Sequence, residues 1–293
     1  MKKHILRISG LILSIVLFSN VGIFAQAPKM ILVEGGTFTM GSNTGVPEEK
    51  PAHKVTVNSF YIGEHEVTVG EYKKFASATG KKMPEPPDKE WMDSHKYTQM
   101  FYVSSGKSWW GWEPNLPMQH VNWYDAIEYC NWLSKQNGLE KCYVKNADGG
   151  WDLDRSKNGY RLPTEAEWEF AARGGNKSQK FKYSGSNDIN AVAWYDETSK
   201  LSGPKNVKTK KPNELGIYDM SGNVWEWCSD YYKTNYYSVS PEDNPFCATP
   251  MPYRVIRGGS WHYRAELAKV TSRDGPKAGK TNYNFGFRLA KNK

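Results

Sequence analysis

The chain has 293 residues and a formal charge of +8, enough for one large domain or two small ones. Its lysines and arginines are scattered, and the densest run is only Lys208-Thr209-Lys210-Lys211, which argues against nucleic acid as a partner. Beyond the first 27 residues no segment is apolar enough to cross a membrane, so no membrane span is expected.

In chain order, Lys2, Lys3 and Arg7 form a positive start, Ile8 to Phe24 is mostly apolar, and Ala25-Gln26-Ala27 gives a small-residue cleavage pattern. Residues 1–27 therefore read as a signal peptide, and the protein as exported to a periplasmic or extracellular location. Ser9, Gly10, Ser14, Ser19 and Asn20 interrupt the apolar run too often for a stable span. Losing the leader removes three positive charges from +8 and leaves +5. Residues 28–293 read as one domain.

Ile31 to Met40, with Gly35-Gly36 inside it, reads as a hairpin or a bulged strand, and Val55 to Ile62 as a second strand. The polar loop between them carries Glu48 and Glu49. Three helices begin with the same device, a capping residue followed three positions later by an acid. They start at Thr68, Asn122 and Thr164, and glycines follow their ends at Gly80, Gly138 and Gly174. Met83 to Pro117 follows no period and reads as a long loop packed by its rings. Asp148-Gly149-Gly150 is a hairpin turn, and Val255-Ile256-Arg257 and Phe285 to Leu289 are late strands. With 12 Trp and 18 Tyr, packed loops can bury much area per residue. The fold class is α+β, with three helices, short strands and much irregular structure.

Four cysteines occur, Cys130, Cys142, Cys228 and Cys247. An even count in an exported protein reads as two disulfides, for which three pairings can be written. The local one, Cys130–Cys142 with Cys228–Cys247, is the expectation, each bridge closing a modest loop worth about 3 kcal/mol.

The densest chemistry lies in Gly216-Ile217-Tyr218-Asp219-Met220-Ser221-Gly222-Asn223-Val224-Trp225-Glu226-Trp227. Ser221-Gly222-Asn223 is a turn that folds the Asp219 carboxylate back towards Glu226. Two carboxylates among apolar groups repel unless a cation joins them, and calcium takes carboxylates together with turn carbonyls. The plainer alternative is that Asp219 caps the turn, Glu226 meets an arginine and the tryptophans are core.

This stretch resembles the G-x-x-D-x-x-G-N-V-W-E-W block of the formylglycine-generating enzyme (sulfatase-modifying factor) family. Further matching blocks are Val33 to Gly41, Gly159 to Glu169, Arg257-Gly258-Gly259-Ser260-Trp261 and Asn284-Phe285-Gly286-Phe287-Arg288, so the likeness runs from about Met30 to Leu289. It implies a C-type-lectin-like variant of the α+β fold. Carried over residue by residue, it implies a structural calcium held by the Asp219 and Glu226 side chains and the Gly222 and Val224 carbonyls, approached by an acid at Glu49. The family's other calcium site needs an Asn where this chain has Ala193 before Trp194. The resemblance also implies a ligand groove at Ser260, Trp261, His262, Tyr263, Arg264 and Asn284. For Arg257, Arg273 and Arg288, pairing with acids is the expectation.

Catalytic members of the family oxidise a sulfatase cysteine with copper held by two thiolates, soft ligands that select Cu(I). Those thiolates follow the Gly-Gly-Ser-aromatic block, where this chain reads Ser260 to Ala268 without cysteine, and Tyr263 stands nearest the first of them. No cysteine follows Cys247, so copper is not expected and no catalytic residue is assigned. An iron-using branch needs His-x-x-x-His-x-Glu, and no two of the six histidines are four apart. The expectation is an exported protein that binds a peptide, protein or glycan through its lectin-like face. The alternatives are a formylglycine-generating oxidase and a structural component of an envelope or secretion assembly.

Overall fold

All three expected helices start at their capping residues. In a computed structural model that describes residues 28–86, 112–147, 149–199 and 202–293, α1 is Val69–Thr79, α2 is Trp123–Gln136 and α3 is Glu165–Ala172. Thr68, Asn122 and Thr164 each accept a bond from the third residue on, whose carboxylate answers the cap's own N–H. Reciprocal bonds of this kind satisfy N–H groups that the first turn otherwise leaves bare. Two single-turn helices are added to the three expected, α4 (Ile189–Val192) and α5 (Asp196–Ser199). The expected leader lies outside the described residues, as does most of the expected aromatic loop.

The strand expectations near the start need correction. Ile31 to Met40 is no hairpin but two strands of different sheets, β1 (Met30–Val33) and β2 (Gly36–Met40). Val55 to Ile62 likewise divides at Asn58-Ser59 into β3 (His53–Val57) and β4 (Phe60–Gly63). β2 pairs with β3, whereas β1 pairs with β4. Gly35 allows the crossing, because a Cβ there would press into the backbone at Val57 to Ser59. The hairpin expected around Gly149 is present as β5 (Tyr143–Lys145) and β6 (Trp151–Leu153).

The remaining strands build the centre: β7 (Trp225–Tyr231), β8 (Arg254–Arg257), β9 (Arg273–Asp274), β10 (Phe285–Gly286) and β11 (Ala290–Asn292). One sheet runs β10-β7-β8-β9 and another β1-β4-β11, so the first and last strands flank β4. Register sets Glu226 opposite Gly286 on one side and Arg257 on the other. Alternation along β7 then divides the core: Trp225 and Trp227 join α1 and α2 in one apolar cluster, and Cys228 joins α3 in a second.

All eight residues of α3 are buried, among them Glu165, Glu167 and Glu169. Buried acids need partners, and arginines from distant segments supply them. Arg161 grips Glu167 with two bonds (2.7 and 2.8 Å), Arg273 grips Glu165 (2.6 and 2.8 Å), and Arg257 reaches both Glu165 (3.0 Å) and Glu169 (2.6 Å). Burial alone would raise these carboxyls, but the facing guanidiniums outweigh it and hold all three below the ordinary glutamate value.

The four cysteines are buried free thiols, so the expected Cys130–Cys142 and Cys228–Cys247 bridges are not formed in this structure. Each packs as a small apolar group. Cys130 and Cys142 sit in the first core cluster and Cys228 in the second. Burial raises every one of the four thiols above its ordinary value.

Candidate functional site

The turn expected at Ser221-Gly222-Asn223 is held by its backbone. Asp219, Gly222 and Asn223 take positive φ of 59°, 80° and 57°. Gly222 donates to the Gly258 carbonyl (2.8 Å) and Asn223 to that of Trp194 (2.8 Å), and a Cβ on Gly222 would strike the Trp194 carbonyl. Trp261 N donates to Asn223 O (2.7 Å), and Trp225 N donates to Asn284 O (2.7 Å). Three sequence-distant blocks thus meet at one turn.

Of the plainer reading, the arginine on Glu226 and the tryptophan core are present, whereas the Asp219 carboxylate bonds to a distant backbone N–H and does not cap the turn. Glu226, fully buried, takes a forked pair of bonds from Arg288 Nε and Nη2 (both 2.6 Å) and one from Trp168 Nε1 (2.7 Å). Asp219 accepts Lys208 N (2.7 Å), and Trp225 and Trp227 are core. Burial pushes the Asp219 carboxyl up to about 6, with the Glu226 charge adding to the rise.

A third acid, Glu66, was not singled out from the sequence. It is fully buried and accepts Asn223 Nδ2 (2.8 Å) and Val224 N (3.2 Å). Burial raises it far above the ordinary value, and the charges of Asp219 and Glu226 raise it further. Its only sequence signal is an acid two residues ahead of the Thr68 cap. Among the described residues Arg288 is the buried cation that faces all three carboxyls, while the amine of exposed Lys208 bonds to Glu64 (2.6 Å). Among the described residues no group of three or more His, Cys, Asp or Glu side chains is placed to hold an ion. A cation at this turn would instead draw on the Asp219 and Glu226 carboxylates and the Gly222 and Val224 carbonyls, a hard-oxygen set suited to calcium. Asp219 and Glu66, both raised by burial, are the acids that such an ion would hold ionised. Glu49 is not part of the set, because its carboxylate accepts the Thr271 hydroxyl (2.7 Å).

The six expected groove residues separate into floor and rim. Ser260, Trp261 and Asn284 are buried, and Asn284 Nδ2 donates to Ser260 Oγ (3.3 Å). Trp261 Nε1 donates to the Tyr283 carbonyl (3.1 Å), as a buried indole requires. His262 is half-buried, whereas Tyr263 and Arg264 are exposed. The Tyr263 ring sits edge-on to Trp225 at 6.0 Å, its phenol against Asn284. Ser260, Tyr263 and Asn284 are therefore brought together, while Trp261 is an anchor beneath the surface. Arg257, Arg273 and Arg288 pair with glutamates, as expected.

Fold and turn together define a lectin-like domain built around the Gly-Asn-Val-Trp-Glu-Trp block. The chain belongs to the family described as sulfatase-modifying factor enzyme 1-like domain, whose model matches residues 19–293. It is 33% identical over 283 residues to the chaperone protein LppX of Paenibacillus barcinonensis, covering 86% of this chain and 85% of that protein. It is 29% identical over 307 residues to the formylglycine-generating enzyme of Streptomyces coelicolor, covering 89% of this chain and 88% of the enzyme. Among solved structures, Treponema denticola variable protein 1 superposes with a TM-score of 0.72 at 31% identity, covering 90% of this chain and 95% of that one.

Proposed function

We propose that this protein is an exported binding member of the family, which engages a peptide, protein or glycan through the face of His262, Tyr263 and Arg264. On this reading it does not make formylglycine by the copper-thiolate route. The supporting observation is that Tyr263 stands nearest the place of the first thiolate while all four cysteines are buried. A thiol raised by burial is a poor source of the thiolate that binds metal. An exposed tyrosine and arginine over a firm aromatic floor are the residue types that anchor binding surfaces. The relative named a chaperone protein favours a protein as the ligand. A structural calcium at Asp219, Gly222, Val224 and Glu226 belongs to the same reading, as support for the turn beneath the face.

The test is to incubate the purified protein with Cu(I) and a cysteine peptide bearing a sulfatase motif, then follow the thiol by mass spectrometry. The peptide is expected to stay unmodified, and conversion at an enzyme-like rate would restore the oxidase reading. Ligands captured from peptide and glycan arrays should bind Tyr263→Ala about tenfold more weakly.

A further inference from the structure

One core arginine has no acid. Arg161, Arg257, Arg273 and Arg288 each meet a glutamate at 3.0 Å or less. Arg254, only 4% exposed, meets none among the described residues. Its guanidinium lies between two rings, 3.7 Å from the centre of Trp123 and 3.3 Å from that of Tyr231. Nη1 donates to the Ser229 carbonyl (2.6 Å), and the buried Nε has no partner. Asp230 is close but spent elsewhere, accepting Glu165 N (2.8 Å) and Cys247 N (2.9 Å). Nη2 is the donor left uncommitted and not sealed off, and it can give a carboxylate one charge-assisted bond.

Arg254 lines a cavity of about 150 Å³ whose other walls are Trp123, Trp151, Leu153, Tyr231, Phe246 and Ala248, with Asp152 also lining it. Asp152 is exposed and holds Asn146 Nδ2 (3.0 Å). The volume equals that of about five waters, enough for a body of a few carbons. One cation matches one negative charge. Mostly apolar walls leave a phosphate or sulfate dianion with too few donors, whereas they suit a monoanion with an apolar body.

We propose that this cavity binds a small carboxylate, its charged end on Nη2 of Arg254 and its carbon body among Trp151, Leu153 and Phe246. The site is separate from the His262–Arg264 face and does not rest on its reading. The same chemistry is presented by a free short-chain acid and by the carboxyl end of a polypeptide.

The test is calorimetric titration of the full protein with butyrate and with butyramide, its neutral counterpart, alongside the fluorescence of the lining tryptophans. Butyrate should saturate at one equivalent and butyramide should not. Arg254→Lys should weaken butyrate about tenfold. Ala248 is exposed, so Ala248→Trp should block the cavity, abolish binding and leave the melting temperature unchanged. Tyr263→Ala should leave butyrate binding intact. A short peptide that competes as the free acid but not as the amide would assign the carboxylate to a chain end; failure to compete would assign it to a free acid. The proposal falls if butyrate and butyramide bind alike, if Ala248→Trp binds as the parent does, or if butyrate shows no saturation by about 10 mM.

Discussion

Asp230 shows how one buried residue sets a pH response. Burial pushes its carboxyl up to about 7, the Glu165 charge adds to the rise, and its two backbone N–H bonds only moderate it. An aspartate titrates near 4 in the unfolded chain. The folded protein therefore holds this proton more tightly, and the stability it lends is complete below about pH 4 and lost as pH rises through about 7. Asp219, raised to about 6, acts in the same direction. Glu165, Glu167 and Glu169 are lowered and act oppositely, their contribution vanishing as pH falls below the ordinary glutamate range. Urea denaturation across pH 4–8 should show that Asp230→Asn flattens the loss of stability on the alkaline side. An unchanged slope would mean that Asp230 ionises like an ordinary surface aspartate.

At the scale of elements, the three capping boxes share a design but not an environment. Thr68 starts a helix with one exposed flank, and Thr68→Ala should cost about 1 kcal/mol. Thr164 starts a helix buried on every side, and its hydroxyl accepts the buried Glu167 N–H (3.2 Å). Thr164→Ala strands that donor away from water, so its cost should approach about 2–3 kcal/mol, or about two to three times that of Thr68→Ala. Chemical denaturation of both variants checks the order, and equal costs would contradict it. The difference comes from the arginines that let α3 lie inside at all.

For the molecule as a whole, the joint where the distant blocks meet should govern stability. Glu66, Asp219 and Glu226 gather around Arg288, so a divalent cation there would relieve their mutual repulsion. Calcium should raise the melting temperature, a chelator should lower it, and Asp219→Ala should remove the response. By linkage, an ion at about 100 times its Kd stabilises by about 2.7 kcal/mol. If melting is indifferent to calcium in the parent protein, Arg288 and the raised carboxyls balance the site unaided.

Local chemistry was legible directly. The helix starts at Thr68, Asn122 and Thr164 follow from short-range hydrogen bonding, and the ordered blocks around Gly222 and Ser260 were enough for the family. Whether a strand continues or changes sheet at Gly35 or Asn58 depends on partners far along the chain, and no local pattern carries that. Glu66 is another such case: an ordinary acid in sequence, it becomes the third buried carboxyl only because Asn223 and Val224 fold onto it from more than 150 residues away. The cysteines and Arg254 make the same point, since an even count and a scattered cation say nothing of which neighbours burial will provide. Sequence alone determined the interactions that span one helical turn or one tight loop. Tertiary structure decided which distant charges pair in the core, because inside a protein the cost of a charge depends on what surrounds it in space.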